Sequence, residues 1–196
     1  MTDPFTIRQE VRRKLIHMST AVVGLCMLWV EPGIMRWITL TMAILFPLLD
    51  LGRRKIAFFA RIYASLFKSV TRPFEEKHIT SAAIMFVSMA ITVWLFSPTI
   101  AAAALLFTSV GDAAAAIVGR SLGQTRIGKK TLEGTLAFLS CTICIALLIP
   151  NLAARIGILG AVGAGLVELI PIPHVDDNLS VPILSALIMT ISGGIL

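Results

Sequence analysis

The stretch Ser109-Val-Gly-Asp-Ala-Ala-Ala-Ala-Ile-Val-Gly-Arg-Ser-Leu-Gly-Gln-Thr-Arg-Ile-Gly-Lys-Lys-Thr-Leu-Glu-Gly-Thr-Leu-Ala137 decides the fold. It begins inside an apolar run, carries one aspartate, Asp112, and breaks into a glycine-rich basic loop. It then re-enters an apolar run through a lysine pair and a glutamate. An acid at that depth costs about 2.5–3.5 kcal/mol at a bilayer centre on insertion scales. A side chain kept against that cost is a functional candidate, and the rest of the chain reads as a chamber around it.

Working outward, the 196 residues are 57% hydrophobic and 14% charged. That balance excludes an ordinary soluble domain and predicts a single multi-spanning membrane domain over 1–196. Seven apolar runs follow one another, at about Leu15–Val30, Met35–Leu51, His78–Phe96, Pro98–Gly119, Leu132–Ile149, Ala153–Ile170 and Leu179–Leu196. A basic, semi-amphipathic stretch, Gly52–Lys77, separates the second from the third. Backbone satisfaction in lipid favours helices, and the alternation of a barrel strand is absent. The expected fold is an all-α polytopic bundle of about seven transmembrane helices, with no clear internal repeat.

Lysine and arginine placement orients that bundle. Four basic residues precede the first run, seven lie in 52–77 and four in 120–131, against Arg36 and Arg155 alone on the other side. This bias predicts a cytoplasmic N-terminus and an outside C-terminus. It also sets Arg12–His17, Asp50–Arg54, Arg120–Glu133 and Glu168–Asn178 on one, cytoplasmic face. A one-sided polar cluster suits an enzyme with a cytosolic substrate. A transporter, the alternative from another class, would set its polar groups near the midplane with inverted repeats.

The net charge of +6 flanks apolar spans, so it is read as topology and headgroup contact rather than nucleic-acid binding. Cys26, Cys141 and Cys144 lie within apolar runs and are expected to be buried thiols. The first run is interrupted by His17 and lacks a small-residue cleavage site, so it is expected to be retained as a span.

The chemistry-bearing residues fall into four groups. Asp112 lies about two helical turns, roughly 10 Å, inside its span. Ala115, Gly119 and Gly123 follow it at i+4 spacing; close helix packing explains these small residues but not the acid. The loop Arg120–Thr131 holds Gly123, Gly128 and four basic residues, with Thr131 as the expected N-cap of the next helix. That N-terminus with Lys129 and Lys130 beside it makes a candidate phosphate cradle, although positive-inside placement alone accounts for lysines. Glu133 stands one turn on, placed to orient a lysine or bind a metal. Arg13, Lys14 and His17 share one helical face at the membrane boundary; the bland reading is a topology signal and a satisfied core histidine. Glu168 lies on a small-residue face of the sixth run, and His174, Asp176, Asp177 and Asn178 precede the seventh. Carboxylates with an adjacent amide suit a hard cation such as magnesium, or simply cap a helix. Asp50 with Arg53 or Arg54 reads as an interfacial ion pair.

Together these residues resemble a known family. Arg13-Lys14-x-x-His17, Gly111-Asp112-x-x-Ala115-x-x-x-Gly119-Arg120-x-x-Gly123, Lys130-Thr131-x-Glu133-Gly134-Thr135, and Glu168 with Asp177-Asn178 are similar to the CTP-dependent lipid-alcohol kinases. That family includes dolichol kinase, phytol kinase and the fungal CTP-dependent diacylglycerol kinase, and is related to the phosphatidate cytidylyltransferases. The likeness covers most of the chain, and Gly111–Thr135 is its most specific block. It implies transfer of the CTP γ-phosphate to the hydroxyl of a membrane lipid alcohol with Mg²⁺, an isoprenoid alcohol being favoured over diacylglycerol. Under that reading Asp112, Lys130 and Glu133 are catalytic, with Glu133 fixing Lys130. Arg13, Lys14, His17, Gly119, Arg120, Gly123, Lys129, Thr131 and Asn178 bind nucleotide, and Asp112, Asp177 and Glu168 hold the metal. Transfer of CMP to a lipid phosphate is the alternative within the resemblance.

Overall fold

The computed structural model describes residues 7–67, 71, 75, 78–170 and 172–195. Each apolar run of the sequence folds as helix. The first splits into α1 (Ile7–Ser19) and α2 (Ala21–Cys26), and the second is α3 (Pro32–Lys55). Within the basic stretch lies α4 (Ala57–Phe67), and the third run is α5 (Ser81–Leu95). The fourth run comprises α6 (Pro98–Leu106), a π-turn (Phe107–Gly111) and α7 (Asp112–Ser121). A two-stranded antiparallel hairpin, β1 (Arg126–Ile127) and β2 (Lys130–Thr131), follows; it was not foreseen in an all-α chain. The last three helices are α8 (Leu132–Leu148), α9 (Ala154–Leu169) and α10 (Asp177–Ile195).

Capping residues set the helix starts. The Glu31 carboxylate accepts the Ile34 N–H at 2.9 Å, with Pro32 in the first turn. Thr80 Oγ1 accepts the Ala83 N–H at 3.3 Å to begin α5. Asn151 turns the chain between α8 and α9 with φ +61°, a conformation asparagine tolerates better than most residues. The break between α1 and α2 was not expected. Thr20 donates both its hydroxyl, at 2.6 Å, and its N–H, at 3.1 Å, to the His17 carbonyl, and this tight local pairing ends α1.

Among the described residues, two helices are long and apolar enough to cross a membrane: Pro32–Lys55 and the continuous Pro98–Ser121. Ser81–Leu95 and Leu132–Leu148 are apolar but shorter. The two long helices are used differently. Only 17% of the apolar window in α3 is buried, against 67% for 98–121. So α3 turns Trp37 and Leu48 outward, 66% and 59% exposed, an apolar surface that suits lipid and not water. Helix α6 is the opposite case: Ala101, Ala102, Ala103 and Ala104 are fully buried.

Helices α7, α8, α9 and α10 pack in sequence, and α10 closes onto α5 and α6. Small residues allow this. A Cβ on Gly157 of α9 would stand 2.9 Å from the Ala146 Cβ of α8. The core between these helices is filled by Phe107, Phe138 and Met189, all fully buried. A second core joins Met27, Met35, Met89 and Val93. At the end of α3, Arg53 donates to Asp50 Oδ1 at 2.8 Å and to the Glu75 and His78 carbonyls at 2.6 and 3.1 Å. The expected ion pair is therefore also a clip that ties the stretch after α4 to α3.

The cysteine expectation needs correction. All three thiols are free, but Cys26 and Cys141 are half-buried and Cys144 is exposed. Apolar sequence context does not distinguish a core face from an outward face on a helix that is apolar all round.

Candidate active site

One end of the bundle opens into a cleft of about 880 Å³. It gathers Arg13 and Lys14 from α1, Asp112 and Gly119 from α7, the hairpin, Glu168 from the end of α9, and Asp177 and Asn178 from the start of α10. Arg120, Gly123, Lys129, Lys130 and Thr131 complete the set of expected residues on its walls. Segments up to 165 residues apart thus converge, and twelve of the fourteen expected site residues line one space.

The hairpin sits where it does because two backbones touch. A Cβ on Gly134 of α8 would lie 2.9 Å from the Ala115 carbonyl oxygen and 3.2 Å from the Gly119 Cα of α7. Only glycine at both positions permits this approach. Thr131 caps α8 as expected, its Oγ1 accepting the Gly134 N–H at 3.2 Å. The turn between the strands has Gly128 at φ +59°.

The π-turn before Asp112 is held by side-chain bonds. Thr108 Oγ1 donates to the Ala104 carbonyl at 3.0 Å, and Ser109 Oγ to the Leu105 carbonyl at 2.9 Å. Such bulges re-aim the residues that follow them. Here the residue that follows is Asp112. Its carboxylate is ion-paired to Lys14, and His17 Nε2 stands 3.6 Å from the same oxygen.

A second ionic cluster lies across the cleft. Lys130 donates to Glu168 Oε1 at 2.6 Å and to Asp177 Oδ2 at 3.3 Å. Burial disfavours the charge on Lys130, but the carboxylates of Glu168, Asp177 and Asp112 outweigh it and hold the ammonium above its usual pKa. Glu168 is only 3% exposed, and its Oε2 has no hydrogen-bond partner among the described residues. Asp176 is the N-cap of α10: it accepts the Asn178 N–H at 2.9 Å and the Asn178 amide at 2.8 Å, and Ser81 Oγ donates to it at 3.1 Å.

Two expected site residues stand elsewhere. Glu133 does not fix Lys130. Its carboxylate accepts the Thr125 N–H at 3.1 Å and does not line the cleft. The i, i+3 argument fails because Lys130 is in an extended strand, not in the helix that Glu133 begins. His17 does not line the cleft either. It lies one turn deeper than Lys14, buried behind Asp112, where its Nε2 is 3.4 Å from the Thr108 carbonyl. Conversely, the cleft is also lined by Ser81, which the sequence did not single out, and by Thr135, which entered only within the Lys130–Thr135 motif and without a role. Ser81 directly follows the helix-capping Thr80, which is the only sequence signal it carries.

The walls hold six bases, Arg13, Lys14, Arg120, Arg126, Lys129 and Lys130, against four acids, Asp112, Glu168, Asp176 and Asp177. The N-terminal turns of α5, α8 and α10 also open on it, through Ser81, Thr131 and Asp177. Net positive charge and three helix N-termini favour an anionic ligand with several oxygens. Among the described residues no three His, Cys, Asp or Glu side chains form a ready-made metal cage. The donor set fits an ion that takes one or two carboxylates and completes its shell with phosphate and water. Asp112 and Asp177 are such carboxylates, their side chains 19% and 37% exposed at the cleft wall.

No protein-family model matches the chain, and no solved structure matches it. Its relatives include an uncharacterized protein of Rickettsia prowazekii, 24% identical over 191 residues that cover 93% of this chain and 94% of that protein. Another is the CTP-dependent diacylglycerol kinase 1 of Saccharomyces cerevisiae, 24% identical over 217 residues that cover 94% of this chain and 74% of the yeast protein. The chain is distantly similar, along nearly all its length, to a kinase.

Proposed function

We propose that this chain is a membrane-embedded kinase that transfers the γ-phosphate of CTP to the hydroxyl of a membrane lipid alcohol. The observation that carries this reading is the cationic cleft at one end of an apolar bundle, with Lys130 joined to two carboxylates inside it. Phosphoryl transfer requires positioning and charge compensation more than covalent chemistry. Lys129, Lys130 and the α8 N-terminus hold the triphosphate, and Arg13, Lys14 and Arg120 close over its nucleotide side. Gly119 and Gly123 let Thr131 and the start of α8 seat against α7, since a Cβ on them would meet Thr131 Oγ1 at 2.8 and 2.9 Å. Asp112 and Asp177 hold Mg²⁺, which would neutralise charge on the phosphate oxygens. His17 acts from behind, keeping the Asp112 carboxylate in position. Asn178, already bonded to Asp176, braces the start of α10 rather than reading the base.

The seven helical runs cross the membrane with the N-terminus and the cleft on the cytoplasmic side, where the nucleotide is. The yeast relative's name makes diacylglycerol the first acceptor to test, ahead of the isoprenoid alcohols. The test is transfer of ³²P from γ-labelled CTP or ATP to a panel of lipid alcohols in nanodiscs. Labelled lipid monophosphate with CDP supports the kinase. Pyrophosphate and a CDP-lipid formed from a lipid phosphate would replace it with cytidyl transfer. Mg–CTP that does not bind would remove both.

A further inference from the structure

We infer that Thr135 and Glu168 form the subsite that receives the acceptor's hydroxyl, Glu168 Oε2 accepting its hydrogen bond and Thr135 Oγ1 donating one to its oxygen. The inference rests on the lipid-alcohol reading and deepens it. Two buried side-chain atoms of the cleft, Thr135 Oγ1 and Glu168 Oε2, have no hydrogen-bond partner among the described residues. Thr135 is 7% and Glu168 3% exposed. Buried polar atoms are normally satisfied, so two orphans in one cleft point to a ligand that satisfies both.

Helix packing sets the two level with each other. Helices α8 and α9 run antiparallel, with Gly157 against Ala146 and Gly165 against Leu139. The same register brings Glu168 opposite Thr135. Glu168 is held by Lys130 through its other oxygen, Oε1, so Oε2 is aimed and not free to rotate away. The complementary ligand group must donate one hydrogen bond to a carboxylate and accept one from a hydroxyl. An alcohol does both with a single oxygen. One turn before Thr135 and on the same face of α8, Leu132 is apolar and 39% exposed. A hydroxyl on an apolar body therefore fits, its head at the two orphans and its tail along α8. Lys130 on the same carboxylate sets this hydroxyl beside the residue that holds the terminal phosphate.

The test measures binding apart from transfer. Dioctanoylglycerol and its hydroxyl-capped counterpart trioctanoylglycerol are titrated onto the detergent-solubilised full chain by microscale thermophoresis, and Mg–CTP is titrated separately. The expected result is that T135V and E168Q each weaken dioctanoylglycerol binding about tenfold. Both should erase its advantage over the capped lipid, and T135V should leave Mg–CTP binding within about twofold. T135S should bind like the parent protein. Variants that bind dioctanoylglycerol like the parent, or a T135V that loses Mg–CTP instead, overturn the subsite. A parent chain that binds the alcohol through these residues but transfers no phosphate keeps the subsite and removes the kinase. Transfer at an unchanged acceptor KM in both variants does the reverse.

Discussion

Lys130 Nζ stands 2.6 Å from Glu168 Oε1, so the tip of the hairpin is bonded to the last turn of α9 across 38 residues of chain. Glu168 is buried, and this ammonium is its compensating charge. Lys130→Met should therefore destabilise the protein by about 3 kcal/mol, the lower end of the range for breaking a buried pair, since Lys130 itself is 27% exposed. Adding Glu168→Gln should restore most of the loss, because the orphaned charge disappears. Thermal unfolding of the two single variants and the double variant in detergent measures this. A double variant no better than Lys130→Met would mean that the pair is not what the loss reports.

The same pair has a pH signature. The folded-state pKa of Lys130 lies above the ordinary lysine value of about 10.5, because the cost of burying its charge is outweighed by the carboxylates of Glu168 and Asp177. Its contribution to stability is therefore complete below about pH 10.5 and is lost as the pH rises through the higher folded value. Melting temperature against pH should fall more steeply above 10.5 in the parent chain than in the Lys130→Met/Glu168→Gln variant. Parallel curves in that range would contradict the linkage.

Asp112 is the acid that the sequence isolates, and it meets Lys14 and His17 at the mouth of α7. Asp112→Asn keeps the shape and removes the charge. Phosphate transfer should fall below detection while the variant stays monodisperse on size exclusion. Retained turnover would take Asp112 out of the chemistry.

The two hairpin-linked glycines should respond differently to alanine. A Cβ on Gly134 meets the Ala115 carbonyl at 2.9 Å, with backbone on both sides, and overpacking of this kind costs about 1–3 kcal/mol. A Cβ on Gly128 meets nothing within 4 Å, and only its φ of +59° opposes it, at about 1–2 kcal/mol. Gly134→Ala should also depress nucleotide binding, because it pushes α8 and its N-terminus away from α7. Gly128→Ala should leave that binding nearly unchanged. Equal losses of Mg–CTP affinity in the two variants would show that the α7–α8 approach does not shape the cleft.

Much of this was legible before any coordinates. Apolar runs of near-spanning length favour helix, and six of the seven segments appear within four residues of where composition puts them, whereas the first begins eight residues early and is split. The convergence of Arg13, Asp112, Lys130 and Asp177 was legible because a buried acid needs a cation and both kinds of residue cluster at one end. What escaped were features set by side-chain bonds to the backbone. Thr20 divides the first run, Thr108 and Ser109 accompany the π-turn, and Thr125 captures Glu133. Ser and Thr bond locally in several geometries, and sequence spacing does not select among them. Spacing also misassigned Glu133, because helical neighbour rules were applied across a strand.

The sidedness of the cleft can be tested by a single thiol. Fifteen of the seventeen basic residues belong to segments assigned to one side, and this bias orients membrane proteins. Arg126 is exposed on the hairpin, and Arg155 is exposed at the start of α9 toward the opposite end. With Cys26, Cys141 and Cys144 replaced by serine, Arg126→Cys should react with a membrane-impermeant maleimide only after the cytoplasmic face is opened. Arg155→Cys should react in intact cells. Each is the control for the other, since a leaky membrane would label both. Labelling of position 126 alone in intact cells would invert the bundle and put the cleft out of reach of a cytosolic nucleotide. The γ-phosphate reading would then fail, whatever the cleft's chemistry.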